Sequence, residues 1–185
     1  MLIVFEGING AGKTTMINKT FDWLMGLGKQ LVLTKEPRGY FKQCANIKNI
    51  NPRARALLYL AGRAFHTQKI ILPNIANKII LCDRYLDSSI AYQVLGEGMN
   101  LDLFNRMNSF ASYGIRPDLT IYLNVSVENG MSRSGSIDQK LQEQAQKGYE
   151  YLKTINKDYV EIDANQSQDE VFKAIQEAIK KKLEI

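Results

Sequence analysis

The chain has little of several residues that would decide its class at once. Two cysteines in 185 residues, Cys44 and Cys82, exclude a disulfide framework and a cysteine-based zinc site. Cys82 stands inside the apolar run IILCD and reads as a small buried hydrophobe. The single histidine, His66, has no partner at metal-ligand spacing and reads as a packing or hydrogen-bonding residue. No apolar run reaches membrane length, and no leader pattern opens the chain, so the expected compartment is a reducing cytoplasm with no membrane partner. The net charge of +5 suits an anionic ligand, but no basic block or aromatic-basic alternation builds a nucleic-acid groove. The three lysines at 180–182 fall at the end of a helical pattern, where cations complement the carbonyl end of the dipole. Repeats, low-complexity blocks and linkers are missing too, which leaves one domain over 1–185.

What is present alternates between strand and helix signals. Leu2–Glu6 (LIVFE) is a continuous apolar run that fits a strand buried on both faces. Ile17, Phe21 and Leu24 follow at helical spacing, and Gly26 and Gly28 end the pattern. Gln30–Lys35 and Lys78–Asp83 read as further strands, as do the residues after Pro117 and the shorter DYVEIDA. Helices are expected from Pro52, over Ser88–Leu95, over Leu101–Ser112, and after Ser167, whose spacing to Glu170 is that of a capping box. This alternation predicts an α/β fold: a five-stranded parallel sheet covered by helices on both faces, with ligands gathering beyond the strands' carboxyl ends.

The strongest motif lies between the first strand and the first helix. Gly7–Thr14 (GINGAGKT) matches G-x-x-x-x-G-K-[ST] at every fixed position, in the strand–loop–helix context the motif requires. The backbone from Gly7 through Ile8, Asn9, Gly10, Ala11 and Gly12 to Lys13, Thr14 and Thr15 is expected to surround the phosphates of a nucleoside triphosphate. Lys13 should reach the β- and γ-phosphates, and Thr14 should ligate Mg²⁺. The motif does not say what accepts the phosphoryl group.

Four other segments address that question: TKEPRG (34–39), LLYLAGRAFH (57–66), DRYLDSSIAYQ (83–93) and RPDLTIYLNV (116–125). With the phosphate loop, their order and spacing resemble thymidylate kinase, of the P-loop nucleoside monophosphate kinases, from the first strand to at least Arg133. The resemblance implies a P-loop NTPase three-layer sandwich, a homodimer, and transfer of the γ-phosphoryl of ATP to dTMP. It also assigns roles. Lys13, Asp83, Arg84 and a lid arginine, here Arg133, serve catalysis, and Thr14 and Asp83 hold Mg²⁺. Asn9, Arg38 and Arg84 meet the acceptor's phosphate and sugar; Tyr59 stacks on thymine and Arg63 reads its edge. Ser88, Ser89, Tyr92 and Gln93 line the wall against base and sugar. By residue chemistry alone, Tyr59 also fits a core position beside a surface Arg63, Asp83 and the two serines also fit helix or loop caps, and Arg38 and Arg84 also fit surface ion pairs.

The loop has no basic residue between Gly7 and Gly12, which resembles the bacterial branch, whose catalytic arginine comes from a flexible lid. Here the lid is expected around Met131–Lys140, with Lys140 as a second cation. The chain departs from the family in three places. Asn9 and Asn124 stand where acidic residues are usual, and IDQK replaces the expected second lid arginine. Two alternatives therefore stand beside a dTMP kinase: a kinase of another deoxynucleoside monophosphate, and a nucleotide-binding homologue with low turnover. No N-K-x-D guanine motif supports a GTPase.

Overall fold

The computed structural model describes residues 1–95, 98–135 and 138–185. Five strands, β1 (Leu2–Glu6), β2 (Leu31–Lys35), β3 (Ile79–Asp83), β4 (Leu119–Asn124) and β5 (Tyr159–Asp163), form one sheet in the order β2-β3-β1-β4-β5. All pairings are parallel, with Phe5 opposite both Asp83 and Ile121. Strand β1 is buried throughout, as its unbroken apolar run requires of a central parallel strand. Alternate side chains serve opposite faces. Ile3, Phe5, Ile79 and Leu81 cluster with Met16, Ile17, Leu24, Ile175 and Ile179, whereas Leu2, Val4, Ile80 and Cys82 cluster with Ile71, Tyr85 and Leu86.

The connections cover both faces. Helix α1 (Lys13–Gly26) starts at Gly12, whose φ of 85° is open to glycine, and no acidic side chain sits in its first turn. Its positive end is thereby left to an anion. A short helix, α2 (Gly39–Ala45), was not legible in the sequence; α3 (Pro52–His66) begins as expected, with Pro52 at its start and Asn51 capping Arg53 N–H. The chain continues through a π-helical turn, Thr67–Ile71, into α4 (Leu72–Asn74). The helix expected over 88–95 is α5 (Leu86–Ser89) followed by a π-helical stretch, Ile90–Leu95. Gly96 and Glu97, which follow it, lie outside the described residues. Helix α6 (Leu101–Ala111) and α7 (Val127–Ser134) come next, then α8 (Gln139–Ile155) and α9 (Gln168–Leu183). The capping box at Ser167 and Glu170 is formed, and Lys182 pairs with Asp158 from the last turn of α9.

The lid region differs from its sequence reading. Ser126 caps α7 and Gly135 ends it in the left-handed region, so 131–134 are helical. Asp138 caps α8, which takes in Lys140, and Ser136 and Ile137 lie outside the described residues. The polar Gly/Ser signal marks a helix-to-helix junction, and Arg133 sits on the helix before it.

Candidate active site

β1 is flanked by β3 and β4, so the chain turns to opposite sides of it and leaves a crevice at its carboxyl end. The phosphate loop fills that position, and its path is set by close approach. A β-carbon on Gly7 would lie 2.6 Å from the Leu123 carbonyl oxygen, and one on Gly10 only 2.0 Å from that of Gly130. The loop is thus wedged between β4 and α7, with Gly7, Gly10 and Gly12 all at positive φ. Lys13 Nζ donates to the carbonyls of Gly7 and Ile8 at 2.9 and 2.8 Å. Burial and the nearby Arg84 guanidinium hold its ammonium well below the usual lysine range, against the pull of Asp83 and Glu6. An arriving phosphate would offset both effects.

Thr14 Oγ1 donates to Asp83 Oδ2 at 3.0 Å, while the buried Asp83 Oδ1 has no hydrogen-bond partner among the described residues. An orphaned carboxylate oxygen beside a hydroxyl is a hard-oxygen set that suits a divalent cation. No cluster of three or more His, Cys, Asp or Glu ligands exists among the described residues, so a cation here would take its remaining ligands from substrate and water.

Arg84, directly after β3, takes a φ of 69° and is held by its surroundings. Its Nη1 donates to Ser88 Oγ at 3.0 Å and Tyr149 OH at 3.3 Å, and its Nη2 to Asn9 Oδ1 at 2.8 Å. Behind them lies Glu6, fully buried, accepting from Tyr85 N–H, Ser88 N–H, Ser88 Oγ and Tyr149 OH. The two serines therefore do not cap α5, whose cap position is Tyr85 with no side-chain cap bond. Ser88 joins Glu6 to Arg84, and Ser89 Oγ accepts from Arg63 Nη2 at 3.1 Å. Arg63 is buried, donates to Glu36, to the Tyr85 carbonyl and to Asn108, and still borders the crevice. Arg63 is therefore not a surface residue, and Arg84 is not a surface ion pair.

Two cavities of about 810 Å³ each open on this crevice. One is lined by Arg38, Tyr59, Arg63, Ser88, Ser89, Tyr92 and Gln93, which unites every acceptor-side residue expected from the sequence. Tyr59 faces this cavity and does not sit in the core. The other is lined by the loop from Asn9 to Thr15 and by Arg133, Gln166 and Gln168. Gly7 and Ile8 border neither cavity and contribute backbone carbonyls to Lys13. The cavities share Asn9, Thr14, Asp83 and Arg84. Arg133 donates to the Ala164 carbonyl at 2.9 Å from the last turn of α7.

The departures have local partners. Asn9 accepts from Arg84, and its backbone N–H donates to Gln142 Oε1. Asn124 donates to Glu150 and Glu161, two carboxylates that an aspartate would repel. Glu6, Thr34, Glu36, Gln142 and Tyr149 were missed in the sequence. Glu6 carried a signal there as a carboxylate ending an apolar strand, and Thr34 and Glu36 lie in the TKEPRG segment with no role read for them.

A family model described as thymidylate kinase matches residues 5–178. A thymidylate kinase of Nostoc punctiforme is 37% identical over 97% of this chain and 95% of its own. One from Finegoldia magna is 35% identical over 98% of both chains. The solved thymidylate kinase of Ehrlichia chaffeensis superposes with a TM-score of 0.81 at 27% identity, covering 97% of each chain. The phosphate loop, the twin cavities and these matches over nearly the whole length establish that the chain belongs to the thymidylate kinase family.

Proposed function

We propose that this chain transfers the γ-phosphoryl group of ATP to dTMP, giving dTDP and ADP. The observation that carries the reading is the meeting of two cavities at Asn9, Thr14, Asp83 and Arg84, with a phosphate loop in one and a base-sized aromatic and guanidinium wall in the other. Such transfer needs alignment of acceptor and γ-phosphate with positive charge around the moving group, and little covalent chemistry. Lys13 and the loop N–H groups hold the β- and γ-phosphates. Arg84 reaches the junction between donor and acceptor, and Arg38 holds the acceptor's phosphate. Tyr59 stacks on the base, Arg63 and Ser89 border its edge, and Tyr92 with Gln93 closes the sugar's side. Thr14 and Asp83 would hold Mg²⁺, which when bound supplies charge neutralisation between the phosphates. Arg133 donates to the Ala164 carbonyl and borders the donor cavity, which supports reading it as holding the donor nucleotide in place of the catalytic lid role that the resemblance implies. A different deoxynucleoside monophosphate as acceptor is not favoured, because the relatives matched over the whole chain are named for thymidylate.

Pairing of two copies is part of the proposal. Leu57 and Phe65 of α3, and Leu103 and Phe110 of α6, are exposed on neighbouring helices, and Phe110 is 87% exposed. No helix among the described residues is long and apolar enough to cross a membrane.

An ADP-release assay with ATP, Mg²⁺ and dTMP, dUMP or UMP in turn tests the reading. Fast turnover of dTMP, slower of dUMP and poor of UMP is expected. Binding of dTMP without turnover would leave a nucleotide-binding homologue.

A further inference from the structure

Five side chains from β2, the turn after it and α3 form one continuous hydrogen-bond chain along the acceptor cavity. Arg63 Nε donates to Glu36 Oε2 at 2.8 Å, and His66 Nδ1 lies 2.7 Å from Glu36 Oε1. His66 Nε2 lies 2.7 Å from Thr34 Oγ1, which in turn accepts from Arg38 Nη1 at 2.9 Å. The four inner members are 2% to 8% exposed, whereas Arg38 is exposed and borders the cavity.

Donor logic orients every link. The Glu36 carboxylate only accepts, so Nδ1 of His66 carries a proton. In the neutral ring Nε2 is then an acceptor, so the Thr34 hydroxyl donates to it and turns its lone pairs toward Arg38. An exposed arginine loses considerable rotamer freedom when it settles on a phosphate. A bond to a buried, oriented oxygen removes part of that freedom before the ligand arrives.

We propose that Thr34 and His66 are positioning residues that hold Arg38 toward the acceptor's phosphate and tie its placement to Arg63 at the base end of the cavity. The proposal rests on the reading of Arg38 as the acceptor-phosphate arginine. It makes the relay a determinant of affinity for the nucleotide's phosphate, with no contact to substrate of its own.

The test compares binding of dTMP with that of thymidine, which carries the same base and sugar and no phosphate. Thr34→Val keeps the side chain's shape and removes the hydroxyl. It should weaken dTMP about tenfold, the value of one hydrogen bond to a charged group. Thymidine affinity, the KM for ATP and kcat at saturating dTMP should stay as in the parent chain. Thr34→Ser should restore dTMP binding. His66→Asn keeps a donor for Glu36 but no acceptor for Thr34, and should repeat the Thr34→Val pattern; it serves if Thr34→Val does not fold. Equal loss of dTMP and thymidine, or no loss of either, would overturn the proposal. Arg38→Ala is the control for the underlying reading: it should cost dTMP affinity and spare thymidine. If Arg38→Ala affects both alike, the assignment of Arg38 fails and the relay's role falls with it. If Arg38→Ala discriminates and Thr34→Val does not, the relay alone is refuted.

Discussion

Gly130 lies in α7, and its carbonyl presses on the phosphate loop at Gly10. A β-carbon at Gly130 would stand 2.7 Å from the Asn9 carbonyl oxygen, 3.1 Å from Ile8 Cδ1 and 3.4 Å from Val125 Cγ1. Carbon–oxygen contacts begin near about 3.3 Å, so Gly130→Ala must push the loop and the helix apart by about 0.6 Å. Two effects then oppose each other in stability. Alanine favours the helix over glycine by about 1 kcal/mol, and the displaced contact costs a comparable amount. Thermal unfolding should therefore move by only a few degrees. Catalysis has no such compensation, because Asn9, Lys13 and Thr14 all ride on the displaced loop. A misplacement of about 1 Å can cost roughly a hundredfold, so a shift of half that size predicts about a tenfold fall in kcat. The KM for ATP should rise with it, and dTMP affinity should change least. Steady-state kinetics with both substrates varied, paired with thermal unfolding of the same samples, reads all these quantities. An unchanged kcat would show that the loop does not rest on α7. A collapse in Tm would show that helix and loop cannot be separated energetically.

Two further outcomes follow from the site and its surroundings. Arg133→Ala should raise the KM for ATP several-fold and leave kcat within about twofold, since this side chain is anchored to Ala164 in the donor cavity; a large fall in kcat at saturating ATP would instead return it to the transferring phosphoryl group. The Asp87 carboxyl is pushed up to about 7, chiefly by burial and further by Glu6, with Tyr159, Arg63 and Arg116 opposing. Its unfolded value is near 3.9, so the folded state binds the proton more tightly. The resulting penalty is absent below about pH 4, grows from there to pH 7, and is full above it. Asp87→Asn should therefore stabilise the chain at pH 8, by about 4 kcal/mol for a shift of this size, with the gain gone by pH 4. Urea unfolding at both pH values checks this, and a pH-independent difference would refute it.

Much of this protein was already decided by local sequence. The unbroken apolar run Leu2–Glu6 fits a strand buried on both faces, and five strand-like runs alternating with amphipathic segments leave a parallel sheet as the arrangement that pairs them. The phosphate loop was equally legible, because a tight turn, close backbone approach and phosphate binding each demand particular residues at fixed offsets within a few positions. Tyr59 and Arg63 could be placed on one face of α3 from their spacing, but whether that face met core or cavity depended on β2, α5 and α6. Ser88 and Ser89 illustrate the limit most directly. Their sequence context fits a helix cap, and only the buried Glu6, 82 positions before Ser88, turns one of them into a support for Arg84. Asn124 looked like a loss of charge until the fold set two carboxylates against it, whereas Asn9 remains one, its amide oxygen accepting from Arg84 where an aspartate would have paired. The Thr34–His66–Glu36 relay could not be assembled from the sequence, although its members lie in two of the segments that carry the resemblance and His66 already read as a packing or hydrogen-bonding residue. Its members owe their roles to contacts between residues about 30 positions apart, and a hydrogen bond of that reach exists only once packing has removed the water that would otherwise compete for it.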